Sequence, residues 1–368
     1  MKTRKAHKIV SIVCIVALMV SLLAACSPSD PGTEGVAQKE KITIRIGGGQ
    51  ADTFPWIKAV NEVFCEEVSK QVSETTDYEI EWIKGWSGSI LKLGEALEGT
   101  EDGLCDIGVT VVPLEPAKLK LFNMFYYMPF ASSDATVASK ALDALIAEYP
   151  QFTETFDEYN TMFLSMLWTE PYNMFSTYEI KSLADLKGKK VGAAGANLSW
   201  IEGSGAAGVQ SNLLEMFTSL QTGVYQAGIQ PTVATINLKV YEVAPYILEA
   251  GFGPLPGMVM IANKDSFASY PEEVQAIILD AAKLYSDKEP KYVMDAYGVA
   301  MEKAKAEGAT VYTMSYEQQQ EWANALPNSL GKFVGELNDM GYPGTEMVDF
   351  YYAELEKLGQ KKVRDWEY

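Results

Sequence analysis

Alternation of apolar and polar positions marks the first regular element at KITIRIGGG, residues 41–49, where Ile42, Ile44 and Ile46 face one way before three glycines. A helix is predicted to begin near Thr53 with Pro55 in its first turn, because Ile57, Val60, Val63, Phe64 and Val68 then fall on one stripe. YEIEWIKG (78–85) repeats the strand alternation, LKLGEALEG (91–99) reads as a short helix and CDIGVTVV (105–112) as a third strand. Strand, helix, strand, helix, strand with short joints predicts a parallel sheet covered by helices.

After a helix-rich stretch from Asp134 to Phe156 the pattern restarts with NTMFLSMLW (160–168), SLADLKGKKVGAAG (182–195) and LEMFTSLQTGVYQAGIQP (214–231). The last of these repeats the corner at 91–109: a short amphipathic segment stops at a glycine and feeds an apolar strand that carries Gly or Ala. MVMIANKDSF (258–267) reads as a buried strand. Two long helices, 270–289 and 290–308, are expected to be separated at Pro290. ATVYTM (309–314) alternates once more, and amphipathic helices close the chain. The pattern therefore predicts an α/β chain of two lobes, each presenting strand ends and helix starts to a shared cleft, with long connecting helices. Residues 41–169 plus about 257–300 are expected in lobe I, and 170–256 plus about 301–368 in lobe II.

The N-terminus, MKTRKAHKIVSIVCIVALMVSLLAAC, has a basic start, an apolar run from Ile9 and two alanines before Cys26. This is the pattern of an export signal over residues 1–25. Its Leu-Ala-Ala-Cys resembles the bacterial lipobox, which implies lipid attachment at Cys26 after the cut; residues 26–40, rich in Pro, Gly, Ser and charge, then read as a flexible tether. The alternative is an anchor that stays attached, although the apolar run is shorter than the ~20 residues of a bilayer span. The cut removes four basic residues and no acid, so the formal charge of −19 becomes −23. So acidic a chain is no partner for nucleic acid. The only histidine, His7, leaves with the leader, which excludes Ser-His-Asp and Cys-His catalysis and histidine-ligated zinc. No metal or cofactor is expected. Cys65 and Cys105 could pair in an oxidising compartment, but Cys65 falls in a helical pattern where a small apolar residue would serve, which favours two buried free thiols.

IKSLADLKGKKV (180–191), LEMFTSLQTGVYQAGIQP and the run DIGVTVVPL through FNMFYYMPF resemble, in order and spacing, the solute-binding subunits of tripartite ATP-independent periplasmic (TRAP) transporters of the dicarboxylate-binding type. The resemblance spans Ile42 to the C-terminal helices. It implies a two-lobed periplasmic-binding-protein-like fold, an extracytoplasmic protein held by lipid on the cell membrane, no enzymatic activity, and as partners a small organic solute and a TRAP membrane permease. A ligand sensor for a membrane receptor is the alternative on the same fold. An exported carboxylate-pair hydrolase is the alternative from another class, with Glu95/Glu98 or Glu101/Asp102 as its acids; solvated helix faces account for both pairs.

The departures from the family bear on the ligand. The resemblance implies an arginine after the Lys-hydrophobic step to clamp a carboxylate in bidentate fashion; that position is Gly192 here, and a second arginine position twenty residues earlier is Tyr172. An asparagine position becomes Gln230 and an aromatic position Leu213. The candidate solute-binding residues are these two with Tyr172 and its neighbours Trp168, Glu170 and Asn173, together with Trp86 beyond the second strand and Trp200 at a helix start. Asn197 and Ser199 are candidate caps for that helix, and Gln50 to Thr53 lie on a loop expected to face the cleft. Asp185 and Lys187 read as surface turn residues. Without the arginines the solute either lacks a carboxylate, being neutral, aromatic or cationic, or has its carboxylate held by amides, hydroxyls and a helix N-terminus.

Overall fold

The computed structural model describes residues 39–368, of which Glu40–Tyr368 form a compact unit of their own. The leader, Cys26 and the tether up to residue 38 lie outside the described residues. Lys39 and Glu40 bring the chain into the first strand.

Eleven strands are found among the described residues: β1 (Glu40–Gly48), β2 (Tyr78–Gly85), β3 (Ile107–Val111), β4 (Thr161–Trp168), β5 (Tyr172–Ser176), β6 (Lys190–Ala193), β7 (Ala207–Gln210), β8 (Ala227–Pro231), β9 (Tyr246–Glu249), β10 (Pro256–Asn263) and β11 (Thr310–Thr313). They form two sheets, ordered β2-β1-β3-β10-β4 and β11-β9-β5-β8-β6-β7. The expected parallel sheet holds for β1, β2 and β3. It does not extend further: β10 inserts antiparallel between β3 and β4, because the chain returns to the first sheet from the opposite end after building most of the second. The second sheet is mixed in the same way, with β5 antiparallel to both β8 and β9.

The two corners are superimposable in their bonding. Helix α3 (Ala96–Glu101) ends at Gly103 and helix α5 (Met216–Gln221) at Gly223, both left-handed at φ 71° and 75°. Leu104 N–H then donates to the Gly99 carbonyl and Val224 N–H to the Ser219 carbonyl, each at 2.9 Å. A left-handed residue is what turns the chain back while satisfying the last helical carbonyls, and glycine takes that conformation without strain. α3 starts later than its apolar pattern suggests, since Gly94 is also left-handed.

The helix expected from Thr53 is present but not uniform. α1 (Pro55–Ala59) runs through a π-helical stretch, Val60–Cys65, into α2 (Glu66–Thr75). Cys65 and Cys105 are both free and buried, and burial pushes each thiol up to about 12.

The expected break at Pro290 is absent. One helix, α7 (Glu272–Ala306), passes through it. Proline removes one helical N–H, leaving the Ser286 carbonyl without its usual partner. Burial on both sides outweighs that loss: Val274, Ile278, Ala281 and Tyr285 pack in the core of the first sheet, and Ala300, Met301 and Ala304 in a core on the second. α7 is thus one of three connections between the lobes. The others are the step from Trp168 to Tyr172 and the segment between β9 and β10. These last two are laced together: Thr169 N–H donates to Leu255 C=O at 2.9 Å, Leu255 N–H to Thr169 Oγ1 at 3.1 Å and Tyr172 N–H to Gly253 C=O at 3.0 Å. The last helices, α8 (Tyr316–Ala325), α9 (Ser329–Asp339) and α10 (Gly344–Lys357), join one large core with α4 (Ala135–Glu148) from the first half of the chain.

Candidate functional site

Tyr172 opens β5 immediately after the crossing from the first lobe, and strand alternation sends it with Met174 to the sheet face that also carries Val191, Ala193, Ala227 and Ile229. Its ring meets Trp200 edge-on, with centroids 5.6 Å apart. Trp200 comes from a 3₁₀ segment, Gly195–Ile201, and its indole N–H donates to the Tyr126 carbonyl at 2.7 Å, so this contact spans the two lobes. The Tyr126 hydroxyl and the Asn197 amide both face the Tyr172 hydroxyl. Neither Tyr126 Oη nor Asn197 Nδ2 reaches full hydrogen-bond geometry, although both residues are buried.

Two buried carboxyls lie close to this cluster. Glu170 lies on the crossing itself, fully buried, where Oε1 accepts from Ala234 N–H at 3.1 Å in the first turn of α6 (Thr232–Asn237). Glu289 lies on α7, also fully buried, where Oε1 accepts from Trp168 N–H at 3.0 Å. In each case Oε2 has no partner. Buried polar atoms are nearly always hydrogen-bonded, so four incompletely satisfied groups linked through Tyr172 and Glu170 make this junction the candidate site. Burial pushes Glu170 up to about 7 against the pull of the α6 N–H groups. Burial likewise raises Glu289 well above the ordinary carboxylate range, and the charge of Glu170 raises it further.

Residues 46–336 match the family described as bacterial extracellular solute-binding protein, family 7. The chain belongs to that family. Its members are solute-binding proteins, not enzymes. The ectoine/5-hydroxyectoine-binding periplasmic protein UehA of Ruegeria pomeroyi is 24% identical over 322 residues, 84% of this chain and 93% of its own length. Among solved structures, a TRAP periplasmic solute-binding protein from Desulfovibrio salexigens shares the fold with a TM-score of 0.77 at 20% identity, covering 87% of this chain and 98% of its own. Another from Rhodoferax ferrireducens, solved with copurified benzoate, has a TM-score of 0.74 at 18% identity, covering 86% and 98%. The two-lobed periplasmic-binding-protein fold is therefore shared across this family 7 chain and its neighbours.

Within the family frame, the position where the resemblance implies the first arginine has been filled from behind. Gly192 faces the other side of the second sheet from Tyr172, and a Cβ there would stand 2.5 Å from Tyr225 Cε1 and 2.6 Å from Cζ. Tyr225 is buried and its hydroxyl is bonded to Ser211 Oγ at 2.9 Å, so the ring has nowhere to go. Gly192→Ala should therefore cost about 2 kcal/mol by overpacking, and far less in a Tyr225→Ala background; equal costs in the two backgrounds, measured by urea unfolding, would show that the ring does not impose the glycine.

Of the other residues singled out from sequence, the structure gathers Glu170, Tyr172 and Trp200 at one point, with Trp168 contributing its backbone N–H while its ring packs in the core. Asn173 and Gln230 pair in register on the opposite sheet face from Tyr172, where Asn173 Nδ2 donates to Tyr297 Oη at 3.0 Å. Trp86 belongs to the first-lobe core, its indole N–H on Asn61 Oδ1 at 3.2 Å. Leu213, from the second lobe, packs against that same core and so ties the lobes together. The expected cap at residues 195–201 does not form: Ser199 Oγ donates to the Ala196 carbonyl and the Asn197 side chain turns inward to Tyr172. The Gln50 carbonyl accepts from Ser87 N–H at 2.8 Å, and Thr53 lines an open groove of about 460 Å³ with Lys58, Asn237 and Tyr292. Asp185 accepts from the Lys181 and Ser182 N–H groups as part of a capping box, a surface turn as expected.

Sequence reasoning missed Tyr126, Tyr225 and Glu289. For Glu289 a signal was present. It stands four residues after Tyr285 and four before Val293, on the buried stripe of α7.

Proposed function

We propose that this chain is an extracytoplasmic solute-binding protein, anchored by lipid on Cys26, that captures a small organic solute between its lobes and delivers it to a TRAP-type membrane permease. The observation that supports this most directly is the set of buried, incompletely bonded polar groups around Tyr172 and Glu170, at the junction of two lobes joined by three connections. Such a junction can hinge, and a solute that completes the bonds of both lobes holds them together. The family's solute-binding character supports capture and delivery. The Leu-Ala-Ala-Cys run supports the anchor. A relative that binds ectoine and 5-hydroxyectoine and a structural neighbour holding benzoate support a solute of that small size.

A thermal-shift screen of residues 27–368 tests the reading. A true solute at one hundred times its Kd should stabilise the folded state by about 2.7 kcal/mol, and Tyr172→Ala should abolish the shift. If Tyr172→Ala binds the same solute with unchanged affinity, the solute lies elsewhere. For the anchor, metabolic labelling with palmitate should mark the wild-type chain and leave Cys26→Ser unlabelled.

A further inference from the structure

We propose that the solute carries a cationic group bearing hydrogen-bond donors, an ammonium or an amidinium, and that this group is held between the carboxyls of Glu170 and Glu289. The inference rests on the lobe junction being the solute site. It follows from what the two carboxyls lack. Each spends one oxygen on a backbone N–H and leaves the other with no partner inside a fully buried environment. Among the described residues no lysine or arginine forms an ion pair with either. The two arginines of the described residues are engaged elsewhere: Arg45 on Asp106 and the Leu104 carbonyl, Arg364 on the Ala323 and Leu326 carbonyls.

The surroundings supply no counter-charge from any side. Glu170 meets the Val233 and Ala234 N–H groups of α6, Tyr172 of β5, and Tyr297 and Glu289 of α7. Glu289 meets Trp168 N–H of β4, Tyr285 of its own helix and Glu170. Behind Tyr297, whose hydroxyl donates to it, stands a further acid, Glu249 of β9. Two buried anions without compensation are costly, and a bound cation with N–H donors both neutralises them and fills their free lone pairs. A carboxylate in the same place would be repelled. The unspent capacity of Tyr126 Oη and Asn197 Nδ2 beside Tyr172 adds a polar end for the rest of an organic molecule, which a bare proton would leave unmet. The two carboxyls also come from different connections between the lobes, so one cation bridging them bears directly on the hinge.

The test is a binding screen of residues 27–368 against primary amines, amidines and zwitterions, each matched in size by a neutral amide and a carboxylate. It is run on wild type, Glu170→Gln and Glu289→Gln, with wild type also measured at pH 5.5 and pH 8. The expected result is that the best ligands carry an N–H cation, that each amide variant weakens them at least tenfold without lowering the melting temperature of the ligand-free protein, and that wild-type affinity is at least tenfold tighter at pH 8, where protons no longer compete. If one variant fails to fold, the other variant and the wild-type pH profile decide. Best ligands that are carboxylates or neutral amides, bound equally by the variants and at both pH values, would overturn the cation while leaving the solute site standing. Failure of every class to bind would overturn both.

Discussion

Trp200→Ala should lower stability by about 4 kcal/mol, the range for removing a large aromatic from a close-packed core. In a chain of this size that corresponds to a fall of about 6 °C in Tm. Trp200 has no exposed surface. Its ring lies 5.0 Å from Phe252 and 5.6 Å from Tyr172, its N–H holds the Tyr126 carbonyl, and its own carbonyl receives the Trp322 indole N–H at 2.8 Å. The truncation therefore leaves a cavity and an unpaired buried carbonyl together. Trp200→Phe keeps most of the volume and loses only the hydrogen bond, so about 2 kcal/mol is expected, with solute affinity changed less than threefold. A cost for Trp200→Ala below about 1 kcal/mol in thermal or urea unfolding would place the ring on an open cleft wall instead of in the core.

The ligand-free protein should lose stability as pH rises from about 4.5 to 7. Glu170 is raised from the ordinary 4.5 to about 7, so the folded state holds a proton that the unfolded chain has released. A raised carboxyl adds nothing below the unfolded value; the cost grows as pH climbs past it and is complete above about 7. The size is about 3 kcal/mol for Glu170 alone at 1.36 kcal/mol per pH unit. Glu289 acts in the same direction and extends the loss to higher pH. Asp106 acts oppositely: burial works against its charge, but Arg45 holds it below the ordinary value, so its contribution is present at neutral pH and disappears in acid. Stability should therefore peak in mild acid. Tm measured from pH 4 to pH 8 should fall toward the alkaline end in wild type and flatten in Glu170→Gln. A curve that rises steadily to pH 8 in wild type would mean that neither carboxyl is desolvated.

The features legible in the sequence are those set by local pattern. Ile42, Ile44 and Ile46 give β1 by alternation, and the helix-Gly-strand corners at Gly103 and Gly223 follow from the left-handed turn that glycine accepts. The surface turn at Asp185 and the two buried thiols belong to the same class. What escaped depends on the far side of the molecule. Pro290 reads as a break because a proline ends an isolated helix, whereas α7 is held by a separate core on each side of it. Gly192 reads as a lost arginine, and only the second sheet shows Tyr225 standing in its place. Trp200 and Trp86 read as candidate solute contacts, yet each has found an acceptor inside the fold, the Tyr126 carbonyl and Asn61, which no periodicity announces. Glu170 stands out as an acid among aromatics, but the carboxyl that its charge acts on is Glu289, 119 positions later in the chain.

The return of β10 to the first sheet also fixes an order of assembly. β4 pairs only with β10, and β3 pairs with it along one whole edge. Until residue 263 has been synthesised, the first sheet consists of three strands, and β4 has no neighbour, although most of the second sheet is already complete in the chain. A nascent or partly translocated polypeptide therefore carries open strand edges through two thirds of its length, the condition in which strands pair with the wrong chain. The first sheet closes only when β10 arrives, from the middle outward, and a chain truncated before β10 should be caught by holding chaperones instead of folding half-way.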